Sequence, residues 1–475
     1  MLANGLMAAA QDKTEKWDLR KCVDYAVKNN ISVKQADVQA RIAKITVEAR
    51  KLAQYPSANG NTQLGMAFGR SIDPTSNQFV TSQFLQNTYN VNTNVQVFNW
   101  GGLKNSLAAA EFNAKAALVD VERTANDISL SVATFYLQVL SAKQQISIAS
   151  VQILQTKSQL EFTRKRVDAG ALPELNAAEL EAQLARDSVT LINTEANFLQ
   201  AVLQLKAAIN LDMSAPFELD TPPVDKIPVE SLMDLEPGNL FKLALTTQPQ
   251  QKANDWRLKA AQKNIDVAKA ALYPTISFGG GLGTNFANAR RTISESVSGF
   301  RNSAAIVNVA GTNYTVQTPN IQLQSNNRSF WEMWDGWGTQ VNQNFRQNLG
   351  FFVNVPIFNG GSARQNIAQS KLQVQQQENA IAQANLTLQQ NIYQAHATAT
   401  AAMMRFNASK KTVETAEKSY DYARKRYEAG LANTLDLITN QNNLLRAKLD
   451  MLNNQFDYVF RLKLLEFYKG QGLKL

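Results

Sequence analysis

The chain carries one cysteine and one histidine. These are the residue types most used for thiolate, metal and general-base chemistry, and each stands alone. A single thiol excludes disulfide scaffolds and thiolate metal clusters. Cys22 directly follows Leu19, Arg20 and Lys21, a context unlike a lipid-attachment signal, and reads as a plain helix residue. His396 lies in an alanine-rich helical stretch and reads as a packing or surface residue. No nucleophile–base pair, phosphate loop or metal-ligand spacing accompanies them. The residues therefore point away from an enzyme, and no cofactor or metal is expected. The formal net charge of +9 raises the question of nucleic acid. The basic residues are interleaved with acids along helices, however, and no nucleic-acid signature comes with them.

The densest basic cluster is Arg424, Lys425 and Arg426, followed by Tyr427, Glu428, Ala429 and Gly430. Its twin is Arg164, Lys165, Arg166, Val167, Asp168, Ala169 and Gly170, at an offset of 424 − 164 = 260. The chemistry is that of a helix end. A cationic last turn complements the helix dipole, and glycine ends the helix. The same offset carries Val97, Phe98 and Asn99 onto Ile357, Phe358 and Asn359, and Leu184 onto Leu444. The chain is therefore two copies of one long unit.

The elements that position these clusters follow from periodicity. Leu107, Ala114, Val121, Ile128 and Phe135 recur every seven residues, with a second track at Leu118, Ala125, Val132, Val139 and Ile146. These two tracks form the seam of a long helix that must lie against parallel neighbours. A return helix follows each glycine turn, with Pro173 fitting its first turn in one copy and Thr434 its cap in the other. Two further helices end at Tyr55–Pro56 and Tyr273–Pro274, because the residue before proline leaves the helical region. These two lie 273 − 55 = 218 residues apart, so the second copy has gained 42 residues (260 − 218) before Ile357. That insertion, about 287–339, is rich in Ser, Asn and Gly and reads as a lid or surface loop.

Between these helices the period changes to two. Tyr89, Val91, Val95 and Val97 alternate with Asn90, Asn92, Asn94 and Gln96. Leu64, Met66 and Phe68 alternate similarly, as do Phe345, Leu349, Phe351, Val353, Val355 and Ile357 against Asn344, Arg346, Asn348 and Asn354. Strands of about ten residues with one apolar and one polar face match the length that crosses a bilayer at a tilt. Each copy offers two strands and the chain four, too few to close a barrel. Open edges in lipid cost several kcal/mol per unpaired group. The sheet is therefore either covered within a soluble protein or completed by other copies. Three chains give twelve strands. Phe98, Trp100 and Phe358 at the strand ends suit an interfacial girdle.

The resulting organisation is 1–16, a tail resembling the end of a secretory signal; 17–56, helix; 57–99, strands one and two; and 100–211, a long helical hairpin. A proline-rich linker follows at 212–238, expected to wrap the helical stack. Then come 239–274, helix; 275–358, strands three and four with the long loop; 359–469, the second hairpin; and 470–475, a tail.

This arrangement resembles the TolC family of outer-membrane efflux proteins over about residues 17–468. The resemblance is carried by Pro356, Ile357, Phe358, Asn359, Gly360 and Gly361, by the weaker copy at 97–102, and by the two Ala-Gly turns. It implies a mainly α protein with a β-barrel part. The homotrimer would form a twelve-stranded transmembrane β-barrel in outer-membrane lipid, continuous with a long α-helical barrel across the periplasm. It also implies an exit duct of a tripartite efflux or type I secretion system, working with a periplasmic adaptor and an inner-membrane transporter. By position, Ala169, Gly170, Ala171, Ala429, Gly430 and Leu431 would be the adaptor-contacting tips; alanine replaces the family's leucine in the first. The family's two pore-ringing aspartates fall on Asp436 and Thr439, so one acid remains. Asp436 also suits the first turn of a helix through the dipole. Tyr427 matches a residue that ties helices together at the closed entrance, and Ala432 stands where an arginine is frequent. A structural coiled-coil tether of the cell envelope is the alternative; it explains the helices but not the Asn-interleaved strands.

Overall fold

Two polar side chains break the short helices at matching places. A computed structural model of the chain describes residues 16–72, 77, 79–220, 231–232 and 235–470. In place of one helix at 17–56 there are two, α1 (Leu19–Asn29) and α2 (Ile31–Leu52). In place of one at 239–274 there are α5 (Pro237–Thr247) and α6 (Pro249–Ala270). Asn30 and Gln248, 218 residues apart (248 − 30), are extended at φ −62°, ψ 135° and φ −68°, ψ 130°. Pro249 forces the second break, since it pushes Gln248 out of the helical region. The amide of Asn30 donates to the Ala208 carbonyl (3.1 Å), and that of Gln248 to the Phe467 and Tyr468 carbonyls (both 3.3 Å). Each break thus caps the end of its own copy's return helix, supplying donors to carbonyls that have no partner within that helix.

The long elements keep the 260-residue register at every boundary. Helices α3 (Gly102–Asp168) and α8 (Ser362–Glu428) each have 67 residues, roughly 100 Å at 1.5 Å per residue. The return helices α4 (Glu174–Ile209) and α9 (Thr434–Lys469) each have 36. The cap of α9 is Asn433, whose side chain accepts from the Asp436 N–H at 2.7 Å. Thr434, expected as the cap, is instead the first helical residue and is buried. Pro173 caps α4 from an extended backbone with no side-chain bond.

The chain divides into two units: 1–48, 107–265 and 368–475, and 49–106 with 266–367. The first is helical. Its larger core joins Val132, Tyr136 and Leu140 of α3 to Leu205 and Ile209 of α4 and Phe456 of α9, with Cys22 of α1 fully buried among them. A second core joins Leu240 and Ala244 of α5 to Ile392 of α8 and Leu462 of α9. The linker is tied to Trp17, whose N–H donates to the Glu218 carbonyl (2.8 Å) and whose carbonyl accepts from the Asp220 N–H (2.9 Å). Its stretch at 221–230, like the tails at 1–15 and 471–475, lies outside the described residues.

The second unit is a four-stranded antiparallel sheet in the order β1 (Ser57–Ile72), β2 (Phe79–Phe98), β3 (Thr275–Ala289) and β6 (Arg346–Asn354). Within the chain β1 and β6 are edges, and the sheet is open. Three strands exceed the ten residues expected, at 16, 20 and 15. The insertion is not a loop. It contains a second antiparallel pair, β4 (Arg291–Val309) and β5 (Thr312–Asn327), then a 3₁₀ turn at Glu332–Trp334 and helix α7 (Trp337–Gln343).

Candidate functional site

At the first turn the Gly170 N–H bonds to the Val167 carbonyl and that of Ala171 to the Arg166 carbonyl, both at 2.8 Å. At the second, Gly430 bonds to Tyr427 (3.0 Å) and Leu431 to Arg426 (2.8 Å). This is the Schellman geometry, which requires a left-handed residue; Gly170 has φ 77° and Gly430 φ 74°. The turns are the same shape with different surfaces. Ala169, Gly170, Ala171, Ala429, Gly430 and Leu431 are all exposed, and only the second turn offers a large apolar group.

Behind the turns Tyr427 is 1% exposed, and its hydroxyl pairs with the Thr163 hydroxyl at 2.9 Å, joining α8 to α3. The Arg166 guanidinium donates to the carbonyls of Tyr427 (3.4 Å) and Glu428 (3.2 Å), so a cation from the first copy caps a helix of the second. Its repeat mate Arg426 bonds to its own turn, at the Leu431 carbonyl (3.4 Å). Asp436 and Thr439 are exposed one turn apart on α9. Their repeat mates are Asn176 and Glu179, so each return helix keeps one carboxyl group, at alternate positions.

Sequence reasoning missed the polar belt further along the hairpins. Asp187 of α4 is buried, and its carboxylate accepts from Thr156 (2.5 Å) and Gln183 (2.8 Å). Gln441 of α9 donates to Thr156 (2.8 Å), and Gln183 donates to Asn442 (3.0 Å). Polar residues interrupting the apolar track, such as Thr156 and Thr163, were the available sign. Their partners lie up to 285 residues away and could not be assigned.

In the sheet unit, register sorts the faces. Asn59, Asn92, Gly281 and Asn348 form one row across all four strands. A Cβ on Gly281 would lie 2.9 Å from the side-chain oxygens of both Asn92 and Asn348, so glycine lets the two amides close over it. Arg346 is the one charged residue on this polar face among the described residues, and the four strands contain no acid. The opposite face carries Leu64, Val91, Leu282, Phe278, Leu349 and Phe351. Leu349 is 76% and Phe351 69% exposed, more bare apolar surface than water tolerates without a function.

No helix among the described residues is long and apolar enough to cross a membrane, which leaves strand spans untouched. None of the described residues form a group of three or more His, Cys, Asp or Glu able to hold a metal. The chain belongs to the outer membrane efflux protein family, whose model matches residues 23–211 and 240–470. Relatives include the outer membrane efflux protein BepC of Brucella suis, 21% identical over 436 residues, covering 91% of this chain and 81% of that protein. Another is protein CyaE of Bordetella pertussis, 22% identical over 438 residues, covering 92% and 80%. Among solved structures, CusC superposes with a TM-score of 0.74 at 16% identity, covering 96% of this chain and 92% of that one. VceC of Vibrio cholerae superposes at 0.69 and 16%, covering 96% and 97%.

Proposed function

We propose that three copies of this chain join edge to edge, β1 of one to β6 of the next, into a twelve-stranded barrel in the outer membrane. The helical hairpins of the three form a duct across the periplasm. The protein is then a passive exit channel for an efflux or type I secretion system, fed by an inner-membrane transporter through a periplasmic adaptor. The observation that carries this reading is the sheet itself. It is open at both edges, apolar on one face and amide-lined on the other. A lipid-facing wall needs those faces and cannot tolerate those edges.

On this reading the exposed turns at 169–171 and 429–431 meet the adaptor, with Leu431 the main apolar contact. The Tyr427–Thr163 bond holds the entrance closed, and Arg166 supplies a cation where Ala432 has none. Three copies of Asp436 ring the entrance and attract cations. With Thr439 in place of a second acid, block by multivalent cations is weaker than in a two-acid ring.

Planar-bilayer recording of the detergent-purified protein tests both levels. A trimeric mass with discrete conductance steps is expected, and a monomer or a silent protein supports the envelope tether instead. Asp436→Asn is expected to raise the trivalent-cation concentration for half-block several-fold. Unchanged block removes Asp436 from the entrance.

A further inference from the structure

The apolar face of the sheet is bare over only part of its height. Toward the far ends of the strands it is covered by the insertion. Phe286 and Leu85 are fully buried under Met333, Trp334 and Val341, with Phe286 stacked on Trp334 at 5.7 Å and 7°. The cover is pinned by polar bonds as well. Thr284 donates to the Val341 carbonyl (2.6 Å), Asn288 to the Asp335 carbonyl (3.1 Å) and Asn344 to the Asn285 carbonyl (2.7 Å). This segment is therefore a fixed part of the wall.

The apolar face runs along β3 from Ile276, bare as far as Leu282, to the covered Phe286, an interval of 286 − 276 = 10 residues. Ten residues at ~3.4 Å span ~34 Å along the strand. At a barrel tilt of ~40° that is ~26 Å of height, against an apolar band of ~25 Å in outer-membrane barrels. Aromatic clusters bracket it at both limits. At the near end Phe98, Trp100 and Tyr273 pack ring on ring, at 5.3 and 4.8 Å, and Trp100 donates to the Pro274 carbonyl (2.8 Å). At the far end stand Phe330, Trp331, Trp334 and Trp337, with Trp337 edge-on to Tyr89 at 6.4 Å. Trp331 is 79% exposed on a segment anchored by the buried Met333. Amphipathic rings favour the membrane–water boundary, where one part of the ring is apolar and another wet.

Charge agrees with that placement. Arg70 pairs with Thr81 beyond Leu85, and Arg290, Arg291 and Arg328 are tied by backbone bonds at the end of β3, with Glu332 and Asp335 as the acids of the covering segment. The Arg290 side chain bonds to Gln83 (2.8 Å) and that of Arg328 to Asn288 (2.5 Å), which hold both guanidinium groups at the rim. A basic rim above an aromatic belt complements phosphate-bearing headgroups.

We infer that residues 330–343 are the outer girdle of the wall, seated in the headgroup layer of the outer leaflet, with anionic lipid as the partner. This rests on the channel-wall reading and extends it: the second copy's insertion sets where the lipid-facing band ends.

The lone cysteine makes the test direct. In a Cys22→Ala background, Leu349→Cys, Trp331→Cys and Thr312→Cys are spin-labelled one at a time. The full-length protein is then reconstituted in vesicles of phosphatidylcholine and phosphatidylglycerol. Accessibility to oxygen and to a water-soluble nickel chelate gives the depth of each label. The Leu349 label is expected to favour oxygen several-fold over nickel relative to the Thr312 label, which stays aqueous. The Trp331 label is expected between them, at headgroup depth. A Trp331 label as nickel-accessible as that at Thr312, with Leu349 still deep, overturns the girdle and leaves the wall standing. A Trp331 label shielded from both reagents assigns the surface to a neighbouring protein and also overturns it. A Leu349 label that reads aqueous removes the wall, and the girdle with it.

Discussion

Two stretches of the helical unit bury the same helices in opposite ways. Around Val132, Leu140, Leu205, Ile209 and Phe456 the contact is mainly apolar. Nearer the turns, α3, α4 and α9 meet through Thr156, Gln183, Asp187 and Gln441, all buried and hydrogen-bonded. Apolar contact is non-directional and strong per area. Buried hydrogen bonds add little net stability but accept one geometry and penalise others. The apolar belt therefore holds the hairpins together, and the polar belt sets their register near the end that we propose opens and closes.

The comparison is broken hardest at Leu205, which is fully buried. Leu205→Ala is expected to cost about 2–5 kcal/mol through lost transfer energy and a cavity, read as a lower midpoint of the helical signal in denaturant. Asp187→Leu comes next, at about 1–3 kcal/mol, because Thr156 and Gln183 lose their acceptor in a buried site. If the belt sets register, Asp187→Leu also changes channel conductance, whereas Leu205→Ala changes stability alone. Equal conductance in the two variants would reduce the polar belt to simple glue.

The smallest effect concerns Cys22 in the apolar belt. Its thiol is pushed up from 9.0 to about 12, chiefly by burial, then by the Asp18 carboxylate, with Lys21 opposing. Tyr136 beside it is raised for the same leading reason, with its hydroxyl donating to the Asp220 carbonyl (2.7 Å). Between pH 9 and about 12 the folded thiol keeps a proton that the unfolded chain has lost. Stability therefore falls as pH rises through that window. Maleimide at pH 8 is expected to label the folded protein far more slowly than the denatured chain. Equal rates would mean that this belt opens to solvent.

The duplication was legible because its two registers, 260 and 218, survive in residue types at helix ends, where Ala-Gly and Tyr-Pro have fixed backbone consequences. The alternating strands were legible for the same local reason. Pro249 marks its own break locally, by pushing Gln248 out of the helical region, whereas Asn30 carries no comparable mark. The pair β4–β5 read as a loop because its composition is that of loops. Its pairing also shifts register between Val297 and Phe300 and again between Asn302 and Ile306, which scrambles any period of two.

By itself the sequence determined what local geometry and period can encode: two copies, hairpin turns at Gly170 and Gly430, and strands with one apolar and one amide face. The tertiary structure alone decided which distant groups meet. It put Thr163 on Tyr427, Asp187 among Thr156 and Gln183, Asn30 and Gln248 on the ends of their return helices, and the insertion on the apolar face of the sheet. Periodicity fixes the direction of a side chain from its own helix or strand. Its partner depends on how elements hundreds of residues apart are packed, and no local pattern records that.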